Sequence, residues 1–446
     1  MKSSPFVVVM SIDFVILAAG LGTRMKSSTP KIFQTVAGKP IVRYVVDACK
    51  SFGQNVFVVT QEHLREDNCF VDVTPVVQRS PKGTADAVRQ AVGFLKSEYT
   101  VILCGDMPLL ENRHLDALVN ATQDNTLTAM IVPDELSHMT YGRVILQDGQ
   151  FDHIIEYKNA TPEERSSKLA NAGVYKVKTE LLKRYIGEIR ENPVSKEFYL
   201  TDLFGILKDT GNEVTVIQND DYWSFHGINT MQDLAKAERI MQTRLREKFM
   251  NAGVKLLDPE TTYFAHDTEI ASDVVIEPNV IIGVEVRIGR GSRINAFSHL
   301  VDCEISANVE IGPFARIRGG AKFMSKSSIG NFVEVKGSTL GCGSKAKHLA
   351  YIGDTTIGDS SNIGAGTITC NYDGVKKHKT SIGDYVFVGS NSTLIAPVSV
   401  GDGAIIGAGS VITKDVSPNS LAIARTSQTE IPDLAEKIWR DKGRRK

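Results

Sequence analysis

The chain has no marked excess of either charge: 51 Lys and Arg stand against 52 Asp and Glu, a formal net charge of −1 over 446 residues. That balance excludes a global basic field for nucleic acid or an anionic membrane and leaves small molecules as the expected partners. No apolar run approaches the ~20 residues of a membrane span. The run Phe6 to Met10 behind Lys2 is too short for the apolar region of a secretory signal, and Asp13 follows closely. Six cysteines (Cys49, Cys69, Cys104, Cys303, Cys342, Cys370) include no C-x-x-C pair, which fits free thiols in a reducing cytoplasm. Charge gathers in one place, where Lys437, Arg440, Lys442, Arg444, Arg445 and Lys446 crowd the end of the sequence. That stretch reads either as a solvated end or as a phosphate-binding flap.

What the chain does have is a stride of six. A large aliphatic returns at Ile270, Ile276, Ile282, Ile288, Ile294 and Leu300. After a five-residue step to Ile305 it resumes at Ile311, Ile317, Phe323, Ile329 and Val335, and again from Ile382 through Val388, Leu394, Val400 and Ile406 to Ile412. Neither a helix nor an alternating strand requires this spacing. A three-sided prism does, with one inward side chain per short strand, so that every third aliphatic stacks: Ile270 under Ile288, Ile276 under Ile294, Ile282 under Leu300. Such hexapeptide repeats predict a parallel β-helix, whose coils bury a core only by stacking. The stride breaks over Gly366 to Thr380, where polar and basic residues predict a loop leaving the coil.

The first half reads differently. Strands are expected at Phe14–Ala19, Asn55–Thr60, Thr100–Cys104 and Thr126–Val132. Helices are expected at Val42–Ser51, Thr84–Lys96 and His114–Thr122. This alternation predicts an α/β domain with a mostly parallel sheet, whose ligands gather beyond the carboxyl ends of the strands. Thr230 to Asn251 has helical periodicity and is closed by Gly253, a natural linker. The expected division is 1–228 for the first domain, 229–252 for the linker helix and 253–446 for the β-helix.

Two loops fall at strand ends in the first domain. Gly20-Leu-Gly-Thr-Arg24 lacks the GK[ST] ending of a Walker loop, yet its glycines admit phosphate to backbone N–H groups and Arg24 offers a planar fork of donors. Lys31, after Thr29-Pro30, can aim an ammonium at the same phosphates. Cys104-Gly-Asp106 ends a strand with a carboxylate suited to Mg²⁺, although an acid in that place is often only a helix cap. Together with Gly83-Thr84-Ala85, Tyr141-Gly142-Arg143, Glu156, Asn171-Ala-Gly173, Tyr199-Leu-Thr-Asp202 and Gly227-Ile-Asn229, the segment LAAGLGTRMKSSTPKIF resembles the signature of sugar-nucleotide pyrophosphorylases. The resemblance implies that Leu17, Ala18, Ala19, Gly20, Gly22, Thr23, Arg24 and Lys31 line the triphosphate site, with Gln78, Gly83 and Thr84 on the nucleotide. It also implies Mg²⁺ on Asp106 and Asn229, and the sugar on Gly142, Glu156 and Asn171. The chain departs from that family at Pro81-Lys82, where Gln is usual, and at Cys104, where tyrosine is usual.

In the second half, Arg316-Ile-Arg318, GNFVEVK (330–336), GSKAKHLAY (343–351) and NIGAGTITCNYDG (362–374) are the specific segments. With them the whole chain, over roughly residues 12 to 430, resembles the bifunctional N-acetylglucosamine-1-phosphate uridylyltransferase/glucosamine-1-phosphate N-acetyltransferases of bacteria. Acetyl transfer to an amine needs a base, and His is the usual choice near neutral pH. His348 is the candidate, with Glu334 available to orient its imidazole. The resemblance further implies Arg318, Lys336, Tyr351, Asn362 and Lys377 on the sugar phosphate. Asn371 and Tyr372 would flank the acetyl group, and Ser390, Ala408 and Arg425 would hold coenzyme A. Acetyl-CoA and UTP follow as co-substrates, together with a cytoplasmic homotrimer, sites between subunits, and no nucleic-acid or membrane partner. Two rival readings are a pyrophosphorylase with a silent β-helix, which should lack the His348 and Asn371-Tyr372 segments, and a non-enzymatic scaffold, which should have lost Arg24, Lys31, Asp106 and Asn229.

Overall fold

Continuous apolar runs such as Phe14-Val-Ile-Leu17 form strands buried on both faces, and they build the sheet of the first unit. The computed structural model describes residues 11–52, 55–120, 127–133 and 141–444. Phe6 to Met10, Thr122, Thr126, Arg445 and Lys446 lie outside the described residues. The chain divides into two compact units that meet between Thr243 and Arg244, inside the helix Met231–Asn251. In the second unit, the buried Arg246 donates to Thr262 O at 3.0 Å and Phe249 packs on Phe264 at 4.7 Å, tying the end of that helix to the first coil.

The sheet of the first unit runs Val214–Gln218, Leu127–Pro133, Leu169–Lys178, Tyr99–Cys104, Ile12–Leu17, Asn55–Thr60, Thr74–Val77. It is mostly parallel, as expected, with one reversed strand along this path. Leu169–Lys178 runs antiparallel to both neighbours and carries a register shift between Asn171 and Tyr175, where Gly173 takes φ +69°. Bulges of this kind re-aim side chains beside sites. Helices Ile41–Lys50, Thr84–Ala91 and Asn112–Asn120 pack apolar faces on the sheet. Val92–Phe94 continues the second of them only as a 3₁₀ turn.

The second unit is a left-handed parallel β-helix with three parallel sheets of ten, nine and eight strands. Each expected stack is present: Ile270 pairs with Ile288, Ile276 with Ile294 and Ile282 with Leu300. The five-residue step to Ile305 is absorbed at a corner, where Asp302 takes φ +47°, and Ile288 still meets Ile305. Each inward aliphatic contributes about 1.5–3 kcal/mol by leaving water, so the columns carry the fold. The extruded loop is narrower than the stride suggested. Ile368–Cys370 remains a strand within the coil, and the chain leaves only between Asn371 and Lys379. Thr369 replaces an aliphatic in its column, with its hydroxyl accepting from Gly353 N at 2.8 Å, and so hides the repeat. Among the described residues no helix is long and apolar enough to cross a membrane, and all six cysteines are free thiols.

Candidate active sites

The strand Ile12–Leu17 ends in the loop of residues 18–22, which turns into the 3₁₀ helix Thr23–Met25. Gly22 starts that turn at φ +62°, and a Cβ there would stand 2.7 Å from Lys31 Cβ, so only glycine lets the 3₁₀ turn Lys31–Phe33 close in. Gln61 holds the loop by donating to Ala19 O at 3.1 Å, a residue the sequence did not flag. The second loop is fastened alongside, since Gly105 N donates to Leu17 O at 2.9 Å and Ala18 N to Val59 O at 2.8 Å. Four of the expected residues then meet. Lys31 Nζ donates to Asp106 Oδ2 at 2.5 Å and to Asn229 Oδ1 at 3.2 Å, and Arg24 donates to the same Asn229 oxygen at 2.8 Å. Two cations and two oxygen donors thus occupy one point at the carboxyl end of the sheet.

Gln78 is buried, its amide donating to Asp86 at 2.7 Å and to Gly83 O at 3.3 Å, while Thr84 Oγ1 accepts from Leu200 N at 2.9 Å. These three residues form a group at the head of helix Thr84–Ala91. On the other side Asn171 N donates to Gly142 O at 2.9 Å, and the Asn171 amide donates to Tyr175 Oη at 2.6 Å. Glu156 accepts from Thr201 Oγ1 at 3.2 Å; burial, reinforced by Asp202 and Glu197, raises its pKa. Cys104 is pushed up to about 12 by burial and by the nearby Asp106, so its thiol stays protonated and filling, not nucleophilic.

On the β-helix, outward positions of two successive strands gather charge beside a third. Arg318 pairs in register with Lys336, and Lys336 with Gly353. Lys377, from the extruded loop, lies against Lys336, whose contact and charge lower its pKa, and near Arg318. Three cations converge there, tempered by Glu334, which accepts from Arg318 at 2.6 Å, and Asp354, 3.8 Å from Lys336 Nζ. Such a cluster suits a phosphate. Beside it Tyr351 and Asn371 fold over Gly353, where a Cβ would lie 2.6 Å from Tyr351 Oη and 2.7 Å from Asn371 Nδ2. Gly353→Ala should therefore displace both side chains and weaken binding of a small phosphate ester at the cluster about tenfold, the scale of one lost hydrogen bond to a charged group. Calorimetric titration of wild type and variant checks this.

His348 is exposed at the end of strand Lys345–His348, one residue before the corner at Leu349. The residue that orients it is not Glu334, whose carboxylate is taken by Arg318. Asn331 pairs with it across one coil, Oδ1 to His348 Nδ1 at 2.8 Å. Asn362 sits on the neighbouring face in register with Lys345, away from the cation cluster. Tyr372 turns its hydroxyl to Gly374 O at 2.6 Å within its own loop. Ser390, Ala408 and Arg425 are exposed on successive coils, with Gly409 N donating to Ser390 O at 2.8 Å and Arg425 to Ala408 O at 2.6 Å.

A nucleotidyltransferase-type sheet domain, joined to a hexapeptide β-helix, defines a two-domain transferase of nucleotidyl and acyl groups. The family described as MobA-like NTP transferase domain matches residues 14–168, and that described as Bacterial transferase hexapeptide (six repeats) matches residues 379–414. The protein named Bifunctional protein GlmU from Zymomonas mobilis is 41% identical over 445 residues, covering 97% of this chain and 98% of that one. Proteins of the same name from Paramagnetospirillum magneticum (39%, 95% and 96% covered) and Acinetobacter baumannii (39%, 94% and 97% covered) are similarly related. The chain belongs to the bifunctional GlmU family. It is a transferase with two activities, acetyl transfer and uridylyl transfer.

Proposed function

We propose that the first unit performs uridylyl transfer and the β-helix acetyl transfer, in the order acetylation first. The observation that carries the first assignment is the convergence of Arg24, Lys31, Asp106 and Asn229. A phosphate oxygen of N-acetylglucosamine 1-phosphate attacks the α-phosphorus of UTP and pyrophosphate leaves. Both partners are anions, so positioning and cationic neutralisation by Arg24 and Lys31 supply the catalysis. Asp106 and Asn229 fit Mg²⁺: a carboxylate and an amide oxygen already share one cation, and this ion takes one or two carboxylates plus substrate phosphates. When bound, Mg²⁺ supplies further charge to the phosphates. Gly142, Glu156 and Asn171 hold the sugar, and Gln78, Gly83 and Thr84 the nucleotide.

On the β-helix, Arg318, Lys336 and Lys377 hold the phosphate of glucosamine 1-phosphate, with Tyr351 and Asn362 on the sugar. His348, held by Asn331, takes a proton from the amine as it attacks the thioester carbonyl. The coenzyme A thiolate then leaves. Asn371 and Tyr372 flank the acetyl group, and Ser390, Ala408 and Arg425 bind coenzyme A. The exposed His348, with Asn362 and the Ser390–Arg425 ladder off the cation face, supports a homotrimer whose neighbours complete each site, and the free cysteines support a reducing, cytoplasmic setting.

The test mixes the protein with glucosamine 1-phosphate, acetyl-CoA, UTP and Mg²⁺ and follows free thiol and pyrophosphate separately. Thiol release should need no UTP, and pyrophosphate should lag behind it. Equally fast pyrophosphate release without acetyl-CoA would overturn the order.

A further inference from the structure

Neither the phosphate-side cluster nor the sugar-side strand accounts for His226, an imidazole only 3% exposed between them. It follows the short 3₁₀ helix Tyr222–Phe225 and is enclosed by the rings of Trp223 at 5.1 Å, Tyr222 at 5.6 Å and Tyr141 at 6.0 Å. Its Nδ1 lies 3.0 Å from Tyr141 Oη and 3.1 Å from Tyr222 Oη, and its Nε2 lies 3.3 Å from Asp233 Oδ1.

Both outer contacts lead to the reaction. The other oxygen of Asp233 accepts the backbone N–H of Asn229 at 3.0 Å and of Thr230 at 2.8 Å, while Thr230 Oγ1 accepts from Asp233 N at 3.1 Å. That reciprocal pair caps the helix Met231–Asn251, and it pins the residue whose side-chain oxygen faces Arg24 and Lys31. In the other direction, Tyr141 Oη also accepts from Gly227 N at 3.3 Å, and the next residue, Gly142, accepts from Asn171 N. A cap of this kind is complete without an imidazole. The additional contact joins the cap to the sugar-side segment.

We propose that His226 is a positioning residue for uridylyl transfer: its imidazole ties Tyr141, at the head of the sugar-side segment, to Asp233, which holds Asn229 on the phosphate side. An in-line attack needs the two substrates at a set separation, and misplacement by an ångström costs about 10² in rate. His226 sets the spacing between the two sides. The inference rests on reading Asn229 as part of the Mg²⁺–triphosphate site.

The experiment measures the dissociation constant of UTP by calorimetry on the full chain, with Mg²⁺ and with chelator, beside the kinetics of both activities. Wild type should bind UTP more tightly with Mg²⁺. His226→Phe keeps a ring but loses the Nδ1 contacts to the tyrosine hydroxyls and the Nε2 contact to Asp233, and should lose about tenfold or more of that tightening, the usual scale for a group behind a metal ligand. Its kcat for pyrophosphate release should fall about 10- to 100-fold on the same grounds, with acetyl transfer unchanged. Tyr141→Phe removes a single hydroxyl on the sugar side. It should raise KM for the sugar phosphate and also weaken the Mg²⁺-dependent part of UTP binding, a cross-site effect that packing alone does not produce. If His226→Phe does not fold, Tyr141→Phe decides. Mg²⁺-dependent UTP binding at the wild-type level in the folded variants would overturn the role of His226. Wild-type UTP binding that ignores Mg²⁺ altogether would instead bring down the metal reading beneath it.

Discussion

Replacing His348 with alanine should lower acetyl transfer about 10²- to 10⁴-fold, the range general-base catalysis supplies, and leave uridylyl transfer at the wild-type rate. The imidazole is exposed and pairs with the Asn331 amide at 2.8 Å, so its loss leaves no buried group unsatisfied and the coil should stay folded. Binding of acetyl-CoA should persist, because Ser390, Ala408 and Arg425 lie on later coils. Asn331→Ala removes the orienting contact but not the base, so it should reduce kcat by less than His348→Ala does and spare coenzyme affinity. Stopped assays of thiol release, with calorimetry for coenzyme A, test both. A folded His348→Ala protein that acetylates within a few-fold of wild type would assign the proton to another group or to water.

The pair His348–Asn331 also marks how far the residues alone could be read. The columns of the β-helix were legible because each strand buries one aliphatic, and every stack proposed from the stride is a register pair. Thr369 broke the pattern because a hydroxyl satisfied inside the coil looks, in a sequence, like a polar loop residue. Asn331 was open to discovery by the same arithmetic: it lies 17 residues before His348, the coil-to-coil distance that also sets Glu334 beside Tyr351 rather than beside the histidine. In the first unit the local motifs were legible, since Gly20 to Arg24 and Cys104 to Asp106 each sit at one strand end. The antiparallel strand Leu169–Lys178 was not, because its direction depends on pairing with two strands distant in sequence. His226 and Asp233 carry no motif; their meaning comes from Tyr141 reaching His226 across 85 residues, and His226 in turn reaching Asp233.

Asp106→Ala should cut uridylyl transfer by about two to three orders of magnitude, the scale on which one preorganised charge-stabilising group acts. Acetyl transfer should continue at the wild-type rate. The carboxylate is nearly buried, 18% exposed, and it is the partner of Lys31 at 2.5 Å. Its removal takes away an oxygen that fits Mg²⁺ and frees Lys31 from the position that aims it at the phosphates. The backbone is not disturbed by the change, since Ile228 N donates to Asp106 O rather than to its side chain. Asp106→Asn separates the two causes. It keeps an oxygen toward Lys31 and similar volume but no charge, so a loss close to that of alanine assigns the effect to charge, and a much smaller one assigns it to the placement of Lys31. Pyrophosphate release is the readout, with thiol release from the same preparation as the control for folding. Near-normal pyrophosphate release by a folded Asp106→Ala protein would remove this carboxylate from the site and leave Asn229 without its partner oxygen.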